Sequence, residues 1–172
     1  MFNEAIDFDN YEVEYKFDLP KEDDLSEILF TTGTTGKSKG IKIVYRNNVA
    51  IAQNVSEAIG ITNDDVEMVT APMNHSMALR RTYTVFYKGG TVVLTDGVKF
   101  IEDFFKLLDM YNVTGLTFAP AILEQLLKFA KDRFGTYSDR LRYIQLGSAP
   151  LSEKAKETLK EMFPNTKLFN IY

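Results

Sequence analysis

Ile28-Leu29-Phe30-Thr31-Thr32-Gly33-Thr34-Thr35-Gly36-Lys37-Ser38-Lys39-Gly40-Ile41-Lys42-Ile43-Val44-Tyr45 is the stretch on which the fold of this chain turns. Between Phe30 and Gly40 stand three glycines, four threonines and two lysines. Glycine lets backbone N–H groups approach a ligand, threonine hydroxyls add donors without bulk, and lysines supply charge for a polyanion, so the composition suits a phosphate-binding loop. Gly/Thr/Ser/Lys clusters also occur in plain surface turns, but a turn needs neither the hydroxyl density nor the paired lysines. Gly36-Lys37-Ser38 matches the end of a Walker A loop, which requires another glycine where Thr31 stands and a helix from the lysine onward. The next residues are instead Ile41-Lys42-Ile43-Val44-Tyr45, β-branched and aromatic, and they read as a strand. The stretch is therefore strand-loop-strand rather than strand-loop-helix.

Outward from the loop the chain alternates strand-like and helix-like segments. Upstream, Tyr11, Val13, Tyr15 and Phe17 alternate with Glu12, Glu14 and Lys16 as in a half-buried strand, and Leu19 to Asp24 is a polar connector. Downstream, Asn47 or Asn48 is placed to cap a helix with apolar positions from Val49 to Ile59 that stops at Gly60. A strand over Val66–Ala71, a turn over Pro72–Ser76 and a helix over Met77–Tyr87 come next, then Gly89-Gly90 and a strand over Thr91–Thr95. The apolar residues from Phe100 to Tyr111 form one helical face. Val113–Ala119 reads as a buried strand, and Ile122, Leu123, Leu126, Leu127, Phe129 and Ala130 mark another helix. Leu141–Leu146 is a strand running into Gly147-Ser148-Ala149-Pro150. Ser152 caps a last helix, and Lys167–Tyr172 is the final strand. The expectation is an α/β fold, a largely parallel sheet flanked by helices. Such sheets bind ligands outside the carboxyl ends of their strands, here the ends at Thr31, Ala71, Ala119, Gly147 and Tyr172. The Phe and Leu stripes are expected in the core.

Composition narrows the function. The chain has 172 residues, 45% hydrophobic and 13% aromatic, enough for a packed core. Its net charge is 20 − 24 = −4 with the charges dispersed, which leaves no basic footprint for nucleic acid. With no cysteine and a single histidine, His75, thiolate catalysis and histidine metal clusters are excluded. No basic-then-apolar leader and no span of membrane length is visible, so no transmembrane segment is expected and the location is read as cytoplasmic.

Phe30 to Gly40 resembles the phosphate-binding signature of the adenylate-forming superfamily, the acyl-CoA synthetases, luciferases and peptide-synthetase adenylation domains: aromatic-Thr-Ser-Gly-Thr-Thr-Gly-x-Pro-Lys-Gly. Thr32 stands for the usual serine and Ser38 for the usual proline. Further segments recur in the family's order. Ala71-Pro72-Met73-Asn74-His75-Ser76 resembles its Pro-x-x-His-Ser turn. Tyr87 to Leu94 and Val113 to Pro120 resemble its scaffold strands, Gly147 to Ser152 its Gly-Gly/Ser-Ala-Pro-Leu segment, and Asn170-Ile171-Tyr172 the start of Asn-x-Tyr-Gly-x-Thr-Glu. The resemblance covers Leu25 to Tyr172, with residues 1–24 as an N-terminal strand and linker, and implies a subdomain of the family's large N-terminal domain.

The resemblance implies an AMP-forming acid–thiol ligase that activates a carboxylic acid with ATP to an acyl-adenylate and transfers it to a thiol such as coenzyme A. It assigns catalytic positions to His75 and Lys39, and phosphate binding to Thr31, Thr32, Gly33, Thr34, Thr35, Gly36 and Lys39. Gly147, Ser148, Ala149 and Pro150 would line the adenine and acyl pockets and Tyr172 would stack on adenine, with Mg2+ sharing the phosphate charge. The family's magnesium-binding glutamate, ribose-binding aspartate and catalytic lysine have no counterpart here, so a truncated, inactive fragment is expected. The absence of an acid from Asn74 to Ala78 favours a fatty or aryl acid over an α-amino acid. The alternatives are an adenylation domain loading a carrier protein and a nucleotide-binding homologue without ligase activity. Arg80 and Arg81 are read as ion-pair residues outside the site.

Overall fold

A computed structural model describes residues 18–31, 38–95 and 97–171, with Thr31 described for its backbone alone. The strand expected over Tyr11–Phe17 lies outside the described residues. The element order is β1 (Leu25–Thr31), β2 (Lys39–Val44), α1 (Tyr45–Ile59), β3 (Val66–Val69), α2 (Ser76–Tyr87), β4 (Thr91–Leu94), α3 (Ile101–Met110), β5 (Gly115–Phe118), α4 (Pro120–Phe129), α5 (Lys131–Gly135), β6 (Tyr143–Gly147), α6 (Glu153–Met162) and β7 (Lys167–Ile171). Five strands form a parallel sheet in the order β4-β3-β5-β6-β7, and β1 pairs with β2 in a separate antiparallel ribbon. The α/β expectation with a largely parallel sheet is met. The ribbon moves Thr31 off the sheet's carboxyl edge, where it had been expected, and sets it opposite Lys39.

The central strands are buried along their whole length, as parallel strands covered on both faces must be. Alternation along β6 sends Ile144 and Leu146 to one face and Tyr143, Gln145 and Gly147 to the other. On the first face Ile144 and Leu146 join Met68, Leu116 and Phe118 against α3, α4, α5 and α6 in the main core. On the second face lie α1 and α2, with a smaller apolar cluster of Ile59, Ile61, Val85 and Tyr143.

That second face is polar at its centre. Glu67 of β3 is fully buried and takes hydrogen bonds from Arg81 Nε at 2.8 Å, the Thr117 hydroxyl at 2.7 Å and the Tyr143 hydroxyl at 2.7 Å, with the other arm of Arg81 completing a bidentate pair. Glu67, Gly115 and Tyr143 sit side by side on three neighbouring strands. A Cβ on Gly115 would fall 2.1 Å from the Tyr143 ring, so glycine in β5 is what allows the tyrosine to lean across to the glutamate.

Several local expectations are corrected. Helix α1 starts at Tyr45, earlier than its sequence pattern indicates, because the carbonyls of Asp24 and Glu22 accept from the N–H groups of Tyr45 and Arg46. The cap residue is Val44. Asn47 serves from the third helical position, its side chain accepting from Val44 N–H at 3.1 Å, and Asn48 bonds Ser26 instead. Helix α2 is where the sequence pattern puts it, with the Thr82 and Thr84 hydroxyls each donating to the carbonyl four residues back, at 3.0 and 2.7 Å. The short α5 lacks a sequence counterpart and buries Phe134 against Phe163. Phe100 and Phe129, read as core, are exposed.

Candidate functional site

The carboxyl edge of the parallel sheet is built by three short segments. Strand β3 ends before the turn at Pro72, where the His75 N–H donates to the Pro72 carbonyl at 2.9 Å and closes the bend. His75 is the N-cap of α2, and its Nδ1 accepts from Met77 N–H at 3.2 Å. That bond leaves the ring proton on Nε2, so an exposed imidazole offers an N–H donor outward. Strand β6 ends at Gly147. The next residue, Ser148, has φ = 71°, a left-handed conformation that ordinarily belongs to glycine. A Cβ on Gly147 would meet Met77 Sδ at 2.8 Å, so the bare glycine is what brings α2 close to the end of β6. Strand β7 ends beside it at Ile171.

These segments enclose a cavity of about 300 Å³ lined by Ile51 and Val55 of α1, His75, Met77 and Arg80 at the start of α2, and Gln145, Gly147, Ser148 and Ile171 from the sheet. Its wall is mainly apolar, with a few polar groups that converge, the make-up of a small-molecule site. Arg80 Nη1 pairs with Glu27 at 2.5 Å and with Asn48, tying α2 to β1 and α1. Burial, followed by the Glu27 charge, raises the pKa of Tyr83, whose hydroxyl shares that glutamate.

The structure brings His75, Gly147 and Ser148 together on this cavity. Ala149 and Pro150 continue the turn after Ser148 and are not lining residues, and Lys39 is exposed at the start of β2. Thr32, Gly33, Thr34, Thr35, Gly36 and Tyr172 lie outside the described residues. The ion-pair reading of Arg80 and Arg81 holds, with Arg81 buried on Glu67. Arg80 nevertheless lines the cavity, a place its sequence motif did not assign to it, and so does Gln145. The signals were present: Arg80 lies one helical turn from Ser76, and Gln145 shares the strand face of Gly147 as the lone amide in a buried run.

A doubly wound parallel sheet with a partly polar cavity at its carboxyl edge defines a ligand-binding α/β domain. The chain belongs to the AMP-binding enzyme family, whose model matches residues 3–172. It is 28% identical over 157 residues to 4-coumarate–CoA ligase-like 3 of Arabidopsis thaliana, covering 90% of this chain and 28% of that protein. It is 29% identical over 157 residues to 2-succinylbenzoate–CoA ligase of Staphylococcus epidermidis, covering 91% of this chain and 31% of that one. Among solved structures, o-succinylbenzoate coenzyme A synthetase from Bacillus subtilis in complex with AMP superposes with a TM-score of 0.72 at 25% identity, over 83% of this chain and 29% of that one. The chain thus spans less than a third of the length of these relatives. Among the described residues, no helix is long and apolar enough to cross a membrane.

Proposed function

We propose that this chain supplies the acid pocket and part of the nucleotide site of an AMP-forming acid–thiol ligase. The observation that carries the reading is the convergence of His75, Gly147 and Ser148 on one cavity at the carboxyl edge of a fold belonging to the AMP-binding family. A carboxylate oxygen of the acid attacks the α-phosphorus of ATP, the bond to the β-phosphate oxygen breaks, and pyrophosphate leaves with its electron pair. A thiol, of coenzyme A or a carrier protein, then displaces AMP from the acyl carbon. Charge moves onto phosphate oxygens in the first step, so the protein's part is positioning and electrostatic stabilisation.

In this scheme Thr31 to Gly36 and Lys39 hold the departing phosphates, and Gly147 to Pro150 offer backbone to the adenine and the acyl chain. The tyrosine at 172 covers the base. His75 stands at the mouth of the cavity with its Nε2–H as donor. Among the described residues no group of three or more His, Asp or Glu side chains could hold a metal ion. Magnesium therefore finds no protein cage in them.

The reading is tested by carboxylate-dependent ATP–pyrophosphate exchange on the full-length protein across a panel of acids. Exchange is expected with at least one acid, and His75→Ala is expected to lower it on the order of 10²-fold, the scale of losing one positioned donor. An absence of exchange with every acid, in protein shown to bind AMP, overturns the ligase reading.

A further inference from the structure

Beneath α2, Arg81 and Glu67 form an ion pair whose side chains are 3% and 0% exposed. Burying such a pair is a poor way to gain stability, because desolvation offsets the attraction and apolar residues of similar volume often do as well or better. What the pair does supply is geometry. The guanidinium meets the carboxylate as a fork, Nε on Oε1 at 2.8 Å and the second arm on Oε2, which restricts both the place and the rotation of α2 against β3.

Glu67 is itself held from the sheet side. The Thr117 hydroxyl of β5 donates to Oε1 at 2.7 Å and the Tyr143 hydroxyl of β6 to Oε2 at 2.7 Å, so three neighbouring strands set the carboxylate. Nothing else under α2 grips the sheet so specifically. Its other buried residues are Ala78, Thr82, Thr84 and Val85, all short, and both threonine hydroxyls bond carbonyls of α2 itself. Arg81 lies one helical turn beyond Met77 on the same flank of α2. Met77 packs on the end of β6, its sulfur 2.8 Å from where a Cβ on Gly147 would stand and within 3.7 Å of the Ser148 hydroxyl. His75 caps the same helix two residues before Met77. A slide or rotation of α2 on the sheet therefore moves Met77 and His75 together.

We infer that Glu67 and Arg81 are positioning residues: their fork sets the register of α2 on the sheet, seats Met77 against Gly147 and so places His75 at the mouth of the cavity. The kinetic consequence rests on the proposed ligase reading, whereas the placement of α2 does not.

The test uses two variants. Glu67→Gln/Arg81→Met removes the fork and both charges while leaving an amide oxygen to accept from Thr117 and Tyr143, so no charge is stranded. Arg81→Lys keeps a cation beside Glu67 but has no fork. Urea unfolding shows that each is folded, and Arg81→Lys decides alone where the double variant is not. Methyl NMR of the methionine-labelled chain reads the placement. A nuclear Overhauser contact between Met77 and Gly147 is expected in the parent, lost in the double variant and weakened in Arg81→Lys. ATP–pyrophosphate exchange on the full-length protein, with benzoate and hexanoate as aryl and fatty probes, reads the consequence. The maximal rate is expected to fall about ten-fold or more in the double variant with the KM for ATP unchanged. His75→Ala, costing on the order of 10²-fold in the parent, is expected to cost only about a few-fold in the double variant, where the imidazole is already displaced. A merely structural pair would leave that factor undiminished. An intact Met77–Gly147 contact in the folded variants overturns the inference, and so does an undiminished His75→Ala factor. Absence of exchange with every acid tried sinks the ligase reading instead, and the methyl contact then decides the placement of α2 by itself.

Discussion

At the scale of single residues, the buried carboxylates divide by what holds them. Glu67 depends on Arg81 for its charge balance, and replacing one partner of a fully buried pair strands the other. Arg81→Met is therefore expected to cost about 3–5 kcal/mol, read as a lowered urea midpoint. Asp65 behaves differently. Burial pushes its pKa up, but the Thr62 N–H at 2.8 Å, the Arg142 guanidinium and the Thr114 hydroxyl at 2.8 Å outweigh that and hold it below the ordinary aspartate value. With the folded pKa below the unfolded one, the unfolded chain binds more protons through that window. The contribution is present above about pH 4 and is lost as pH falls through the folded pKa. Asp65→Asn is expected to lower stability at neutral pH and to flatten the acid limb of stability against pH. An acid limb as steep as the parent's would show that other carboxylates carry it.

At the scale of elements, caps and crossings decide where the chain bends. Ser152 accepts from Ala155 N–H at 3.2 Å and starts α6, so Ser152→Ala is expected to cost about 1 kcal/mol in urea unfolding. In β5, Gly115→Ala drives a methyl group into the Tyr143 ring, with an expected loss on the order of 3 kcal/mol and disruption of the Tyr143–Glu67 bond. Ser152 and Gly60 show how much was legible in the sequence, since a cap and a left-handed stop are written in one residue each. The early start of α1 was not legible, because its first N–H groups are satisfied by Glu22 and Asp24, backbone partners that no side-chain pattern reports. The β1-β2 ribbon shows the same limit. Local pattern identified strand, loop and strand, but only pairing could reveal that they stand apart from the parallel sheet. For the site, His75 and Gly147 stood out by motif. Arg80 and Gln145 did not, because only the approach of α2 to the end of β6 puts them on one cavity.

At the scale of the whole molecule, the two faces of the sheet are held by different physics. Nineteen buried apolar side chains among the described residues hold α3 to α6 against one face, while the buried apolar cluster under α1 and α2 has four. Buried Ala52 and Ala78 and the half-buried Val55, Val92 and Phe169 add to that layer, which is otherwise held by polar contacts, the Arg81–Glu67 and Arg80–Glu27 pairs, and is interrupted by the cavity at the sheet edge. Buried ion pairs offset their own desolvation with little to spare, and a cavity contributes no packing, so this layer is the less stable of the two. Native-state hydrogen exchange is expected to show α1 and α2 opening at a free energy below that of global unfolding. The amides of α4, β5 and β6 should exchange only with the whole molecule. A ligand seated in the cavity bridges α1, α2 and the end of β6, so an acid that binds there should raise protection in α1 and α2 and scarcely alter α4. Equal protection of α2 and β5 in the free protein would place both layers in one cooperative unit. Ligand-induced protection confined to α4 would move the binding site away from the carboxyl edge.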